Sequence, residues 1–339
     1  MRVSSCWFAF LLVPFLFSLA HAQGRMDCNV LKSRILAQTV HYCVMLPPGY
    51  DMGKAHARKY PVLYYLHGLG DNEQSLFKTG GWDFIQDLRQ KGKISDFLIV
   101  APEGKASFFI NSADGRVRYS DFFITEFIPY IESHYSVRRE RSARAITGVS
   151  MGGYGALRLA FAYPQLFSSV SAQSAALITT PPAEMNAAMN SGSMLGRLLG
   201  AVFGHPINVV HWNQNSPFRL AGRNRVALAR LAIYFNCGDR DEFGFENGAE
   251  ALHKQLQSEG VRHEFHLYPG NHGSAYFLAH LEEVLEFHSR AFAGKDQASG
   301  RNPLSSRDIC QAHAVASTTS GSPTVQFFSS IFPTPNRAL

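Results

Sequence analysis

Charge is scarce in this chain: 17% of its 339 residues are Asp, Glu, Lys or Arg, and the formal excess is a modest +6. Arg2 and the C-terminal Lys295, Arg301, Arg307 and Arg337, set against Asp296 and Asp308, supply half of that excess. No basic stripe with interleaved aromatics is left, so nucleic acid is not an expected partner. Cysteine is scarcer still. The five cysteines have a spacing unlike any zinc site, and no other ligand cluster for a catalytic metal stands out, so no cofactor is expected. Beyond the first 22 residues no run reaches the roughly 18 apolar residues that a spanning helix needs, which excludes a polytopic membrane protein. The 28 glycines and 16 prolines follow no repeating period, which excludes a collagen-like chain. What is present is apolar mass. With 46% hydrophobic residues and 12% aromatics the chain can bury a sizeable core, and it is not a mostly disordered polymer. Its length suits one large α/β domain with trimmings or two modest domains.

The two ends differ from the middle. Met1 and Arg2 precede an apolar run, 3–19, and then Ala20-His21-Ala22. A basic start, an apolar centre and an Ala-x-Ala exit predict a secretory signal peptide over 1–22, cut after Ala22. The mature chain is then a secreted or periplasmic protein with no stable membrane insertion. Cys6 leaves with the signal. Cys28, Cys43, Cys237 and Cys310 remain where disulfides are permitted, and four cysteines allow three pairings that sequence does not separate. From 293 to 339 the chain is rich in Ser, Thr, Pro, Ala and Gly without sustained periodicity, which predicts a mostly disordered tail. The working domain is 23–292.

Within it, short apolar runs alternate with helix-length segments. The runs at 62–66, 97–100, 143–147, 169–172, 231–236 and 263–268 have strand length, and most stop at Gly, Pro or a polar turn. Between several of them, apolar residues recur at three- and four-residue spacing over 122–133, 249–257 and 275–287, the pattern of amphipathic helices. Strands that are apolar throughout and separated by helices imply a mainly parallel, doubly wound α/β sheet covered on both faces. The looser alternation of 30–46 predicts antiparallel strands at one edge. In such sheets chemistry sits at the carboxyl ends of the strands.

The third run leads into Gly148-Val149-Ser150-Met151-Gly152-Gly153 and then a helical Gly155-Ala156-Leu157-Arg158. A strand, a sharp turn and a helix around Gly-x-Ser-x-Gly make a nucleophile elbow, in which the serine is strained and exposed and side chains two positions either side would collide. The helix start aims its dipole at the same spot. Ser150 is therefore the candidate nucleophile. A serine hydroxyl needs a base to take its proton, and in this order of elements the acid follows the serine and the histidine comes last. Of 14 histidines, His272 occupies the turn after the last expected strand. His253, His280 and His288 fall within expected helices, and His263 and His266 lie on or beside a strand. The loop Gly238-Asp239-Arg240-Asp241-Glu242-Phe243 holds three carboxylates, and spacing leaves Asp239 and Asp241 equally placed to orient the imidazole. The turn His67-Gly68-Leu69-Gly70 nominates the Leu69 amide, with that of Met151, as an oxyanion hole, and His67 as a brace for the loop.

The residues Leu66-His67-Gly68-Leu69-Gly70-Asp71-Asn72-Glu73, Ser120-Asp121-Phe122-Phe123, Ile128-Pro129-Tyr130-Ile131, Gly148-Val149-Ser150-Met151-Gly152-Gly153-Tyr154-Gly155-Ala156 and Cys237-Gly238-x-x-Asp241 together resemble the esterase D / feruloyl esterase group of α/β-hydrolases. That group also includes acetylxylan-type carbohydrate esterases, short-chain esterases and mycolyltransferases. The resemblance covers about 30–287 and implies an α/β-hydrolase fold. It carries the family's acid to Asp241, its histidine to His272 and its oxyanion pair to Leu69 and Met151. The segment 179–215, rich in Ala, Gly, Ser and Met, departs from the pattern and is expected to form a small cap insertion over the site.

The resemblance implies an exported serine ester hydrolase acting on short acyl or aryl esters, acetyl or feruloyl in type, either small molecules or polysaccharide-linked. Trp82, Phe108 and Phe109 are candidates to line an acyl or aryl pocket, although aromatics in such numbers more often belong to the core. The same triad serves S-formylglutathione hydrolysis, a cytosolic activity that the signal peptide argues against, and acyl transfer to a sugar hydroxyl. A non-enzymatic binding protein is disfavoured by the complete set of serine, acid, histidine and oxyanion loop.

Overall fold

The computed structural model describes residues 24–50, 58–189 and 194–294. The expected signal peptide, nearly all of the expected tail, Cys6 and Cys310 lie outside the described residues. Eight strands form one sheet: β1 (Arg25–Ser33), β2 (Gln38–Leu46), β3 (Val62–Leu66), β4 (Leu98–Pro102), β5 (Arg144–Val149), β6 (Ser169–Gln173), β7 (Ala232–Gly238) and β8 (Glu264–Tyr268). Their spatial order is β1-β2-β4-β3-β5-β6-β7-β8. β1 and β2 pair antiparallel, as do β2 and β4, and the remaining pairs are parallel. This is the α/β-hydrolase fold expected from the sequence, with antiparallel strands at one edge.

Strands β3 to β6 are buried along their whole length because each face of the sheet is covered. Alternate residues of β3 serve different cores. Tyr64 and Leu66 pack with the helix Met151–Ala162 and the helical run from Tyr119 to His134, while Leu63 and Tyr65 pack with the helices Trp82–Gln90 and Leu281–Phe292. That run widens at its middle. The turns Tyr119–Phe122 and Ile128–His134 flank one wide turn, Phe123–Phe127, just before Pro129, which has no N–H to give the regular ladder. The expected helix over 275–287 is two helices, Ser274–Ala279 and Leu281–Phe292, broken at His280 (φ −105°, ψ 11°). The His280 ring stacks on Tyr268 of β8 at 4.2 Å, so tertiary contact overrides a continuous apolar period.

At the opposite edge Cys28 and Cys43 face each other across β1 and β2 and form a disulfide, one of the pairings open in the sequence. Cys237 is a buried free thiol. Within 179–215 the described parts are the helices Pro182–Met189, Met194–Phe203 and Val209–Asn215. Phe203 packs edge-on against Phe108 and Tyr154, and Tyr154 donates to the Asn215 carbonyl at 2.9 Å, so the second and third of these helices sit against the helix that follows Ser150. Among the described residues no helix is long and apolar enough to cross a membrane.

Candidate active site

The ends of β3, β5, β6, β7 and β8 converge on Ser150. β5 delivers the serine itself at φ 55° and ψ −119°, a conformation that costs a non-glycine residue about 1–3 kcal/mol. The surrounding backbone sustains it. The Ser150 amide donates to the Gln173 carbonyl at the end of β6 (2.9 Å), and the Ser150 carbonyl accepts from Ala176 (3.0 Å) and Tyr154 (3.0 Å). A Cβ on Gly148 would occupy the Gly152 carbonyl, and one on Gly152 would occupy the Leu66 carbonyl. Both glycines are therefore obligatory for this turn, as the collision argument from the sequence requires.

His272 follows β8 and turns its ring between Ser150 and Asp241. Its Nε2 lies 2.9 Å from Ser150 Oγ and its Nδ1 lies 2.7 Å from Asp241 Oδ2. The carboxylate only accepts, so this network assigns the proton to Nδ1 and leaves Nε2 as the acceptor of the serine hydroxyl. The side chain of Asp241 is wholly buried and that of His272 is 10% exposed. Asp241 Oδ1 accepts from the Phe243 amide at 3.0 Å, which turns the second oxygen toward the ring. Behind it, burial and then the Asp241 charge push the Cys237 thiol well up, so it stays protonated, within 3.6 Å of Asp241 Oδ2 and of Ser174 Oγ. The rings of Phe243, Phe245 and Phe277 stand 4.7, 5.5 and 5.3 Å from the imidazole and keep water from much of it.

The other carboxylates of the loop hold backbone rather than the ring. Asp239 Oδ1 accepts from the Gly270 amide at 3.0 Å and lies 3.5 Å from Arg240 Nε. Glu242 Oε2 accepts from the His272 amide at 2.8 Å. Sequence reasoning assigned Glu242 no role. Its only signal was membership of the same acidic loop.

On the far side of Ser150 the turn 67–70 presses against the nucleophile: a Cβ on Gly68 would lie 3.7 Å from that of Ser150. His67 is fully buried and entirely occupied, with its Nδ1 donating to the Gly68 carbonyl at 2.7 Å and its Nε2 accepting from the Gly104 amide at 2.8 Å. Burial pulls its pKa down, so a neutral ring braces the loop that carries Leu69. Met151 opens the helix after Ser150, where the first amides have no acceptor within the helix. The turn that carries Leu69 and the helix start at Met151 thus flank the serine on two sides.

The aromatic candidates fall elsewhere. Phe108 and Phe109 are core residues, 4% and 0% exposed, and not an open pocket wall. The Phe109 ring fills the space left by Gly104 and Gly155 and packs edge-on against His67 (5.5 Å) and Tyr119 (5.3 Å). Phe108 packs against Tyr154 and Phe203. Trp82 starts the helix Trp82–Gln90 and packs, half-buried, on the second core. The aromatics around the imidazole are Phe243, Phe245 and Phe277. Among the described residues no group of three or more His, Cys, Asp or Glu is placed to hold a metal ion.

Comparison with known proteins agrees with this architecture. The Esterase family matches residues 33–288. An esterase of Mycobacterium tuberculosis is 30% identical over 249 residues, 68% of this chain, and this chain spans about half (51%) of that relative's length. An acetyl esterase of Caldicellulosiruptor saccharolyticus is 25% identical over 229 residues, covering 68% of this chain and 83% of the relative. Among solved structures, a ferulic acid esterase superposes with a TM-score of 0.68 at 28% identity, covering 80% of this chain and 99% of its own. With the family match extending over most of the sheet and all the strand ends that meet at Ser150, the chain belongs to the Esterase family.

Proposed function

We propose that this chain is a serine carboxylic-ester hydrolase in which Ser150, His272 and Asp241 act as nucleophile, base and orienting acid. The observation that carries the reading is the continuous row from Ser150 Oγ through the imidazole to Asp241 Oδ2, at 2.9 and 2.7 Å. His272 Nε2 takes the serine proton as Oγ attacks the ester carbonyl, and Asp241 stabilises the imidazolium that forms. The Leu69 and Met151 amides receive the oxyanion, each such donor being worth about 2.7–4 kcal/mol. The imidazolium then protonates the departing alcohol, and water, deprotonated by the same nitrogen, releases the acid from the acyl-enzyme.

Short acyl and aryl esters, acetyl and feruloyl in type, are the substrates this reading favours. Phe243, Phe245 and Phe277 give an apolar surround beside the imidazole, and the names of the acetyl and ferulic acid esterase relatives support the same class. Export remains part of the proposal. It is supported by the basic, apolar and Ala-x-Ala segments of the first 22 residues and by the Cys28–Cys43 disulfide, a bond that persists in oxidising compartments. Turnover of p-nitrophenyl acetate and methyl ferulate by the wild type, lost in both Ser150→Ala and His272→Ala, is the expected result. Undiminished turnover in either variant would overturn the mechanism. Amino-terminal sequencing of the mature protein tests export, with Gln23 as the expected first residue.

A further inference from the structure

A cavity of about 770 Å³ opens between the helices Pro217–Leu228 and Phe245–Ser258 and the loop 178–182. Ser150, His272 and Asp241 do not line it, yet it begins close by. The loop forming one wall continues from Ala176, whose amide donates to the Ser150 carbonyl at 3.0 Å. The helix forming another wall starts at Phe245, 5.5 Å from the imidazole, and its lining residues Ala251 and Gln255 lie roughly 9 and 15 Å further along at 1.5 Å per residue. A leaving alcohol must sit against His272 Nε2 to receive its proton, and a saccharide attached to it is long enough to reach from there to this cavity.

The lining mixes ring faces with polar groups. Trp212 and Phe218 are half-buried, and Gln255 spans the space between, with its Nε2 donating to the Phe218 carbonyl and to Glu259 Oε1 at 2.8 Å each. Arg219 and Arg223 stand one helical turn apart with Gly222 between them. Both are exposed and neither has an ion-pair or hydrogen-bond partner. Glu259, the only carboxylate in the lining, has one oxygen tied to Gln255 and the other closed off from solvent.

We propose that this cavity binds the leaving-group side of the ester and that this group carries a carboxylate: a uronate-bearing saccharide, its C–H faces on Trp212 and Phe218 and its carboxylate on Arg219 and Arg223. Unpaired guanidinium forks suit planar carboxylates, and ring faces beside hydroxyl and amide groups suit a sugar. The proposal rests on the ester-hydrolase reading of Ser150.

The test compares wild type with Arg219→Ala/Arg223→Ala on four substrates: an acetylated uronate-bearing oligosaccharide, the same ester on a neutral oligosaccharide, p-nitrophenyl acetate and S-formylglutathione. The expected result is that the kcat/KM preference for the uronate ester over p-nitrophenyl acetate falls about tenfold while the neutral oligosaccharide's preference holds. An equal fall for neutral and acidic oligosaccharides, or no fall, overturns the proposal. A fall confined to S-formylglutathione also overturns it, assigning the arginines to the tripeptide's carboxylates. Calorimetric titration of the unacylated uronate oligosaccharide into Ser150→Ala, with and without the arginine substitutions, reads the cavity independently of turnover and should show about tenfold weaker binding without the arginines. A wild type inactive on every ester would remove the hydrolase reading, and the titration would still decide the cavity.

Discussion

Asp241 and Asp239 hold one histidine turn at two different points: Asp241 Oδ2 meets the His272 ring at 2.7 Å, and Asp239 Oδ1 accepts the Gly270 amide at 3.0 Å. Two residues apart, they point in different directions, and only Asp241 is shut away from solvent with its ring partner.

Asp241→Asn should therefore place an amide where the Nδ1–H needs an acceptor, favour the wrong tautomer and lower kcat by up to about 10⁴-fold. Asp239→Asn should cost only a few-fold through loosening of the turn. The measurement is kcat of both folded variants on one activated ester. The reverse ranking would move the orienting role to Asp239.

Arg144 and Glu132 form a largely buried ion pair, 8% and 13% exposed, and Arg144 also donates to the Leu166 and Arg139 carbonyls at 2.8 and 2.7 Å. Removing one partner strands the other charge. Glu132→Ala should destabilise the fold by about 3–5 kcal/mol, read from urea unfolding. A loss below about 1 kcal/mol, the range of exposed pairs, would contradict the burial argument.

The disulfide between Cys28 and Cys43 joins positions 15 residues apart, and a loop of that length is worth about 3 kcal/mol in the chain-entropy account. Cys28→Ser/Cys43→Ser, or reduction of the wild type, should lower the unfolding free energy by about that amount. Activity of the folded fraction should hold, because the bond lies at the far edge of the sheet from Ser150.

His288 is fully buried between Ser169 Oγ and Ser171 Oγ, 2.8 Å from each, and burial lowers its pKa from 6.5 to about 3. The unfolded chain takes up this proton near 6.5 and the folded chain only near 3. Its contribution is thus complete above the unfolded value and is lost as pH falls through that window, by about 1.4 kcal/mol per pH unit. His67, lowered by the same cause, adds in the same direction. Unfolding free energies at pH 7, 5 and 4 should decline, and His288→Gln should flatten the decline. Parallel profiles would contradict it.

The central strands were readable because burial on both faces leaves continuous apolar runs, as in Val62–Leu66 and Leu98–Pro102. The elbow was readable because steric necessity writes glycine at 148 and 152. What escaped was direction. No periodicity tells whether Asp239, Asp241 or Glu242 turns toward a ring or toward an amide, since that depends on how the loop closes against residues 270–272. Phe108 and Phe109, which the sequence left between pocket and core, lie in the core, and their φ of 52° and 57° is a backbone state that composition does not signal. The break at His280 likewise comes from a ring stacked on a neighbouring strand.

The most direct test of the account is where an active-serine reagent attaches. Labelling the wild type with a fluorophosphonate and mapping the adduct by peptide mass spectrometry should locate it on Ser150, with no adduct in Ser150→Ala and much slower labelling in His272→Ala. An adduct on another residue, or full labelling of Ser150→Ala, would contradict the assignment of Ser150 as the nucleophile.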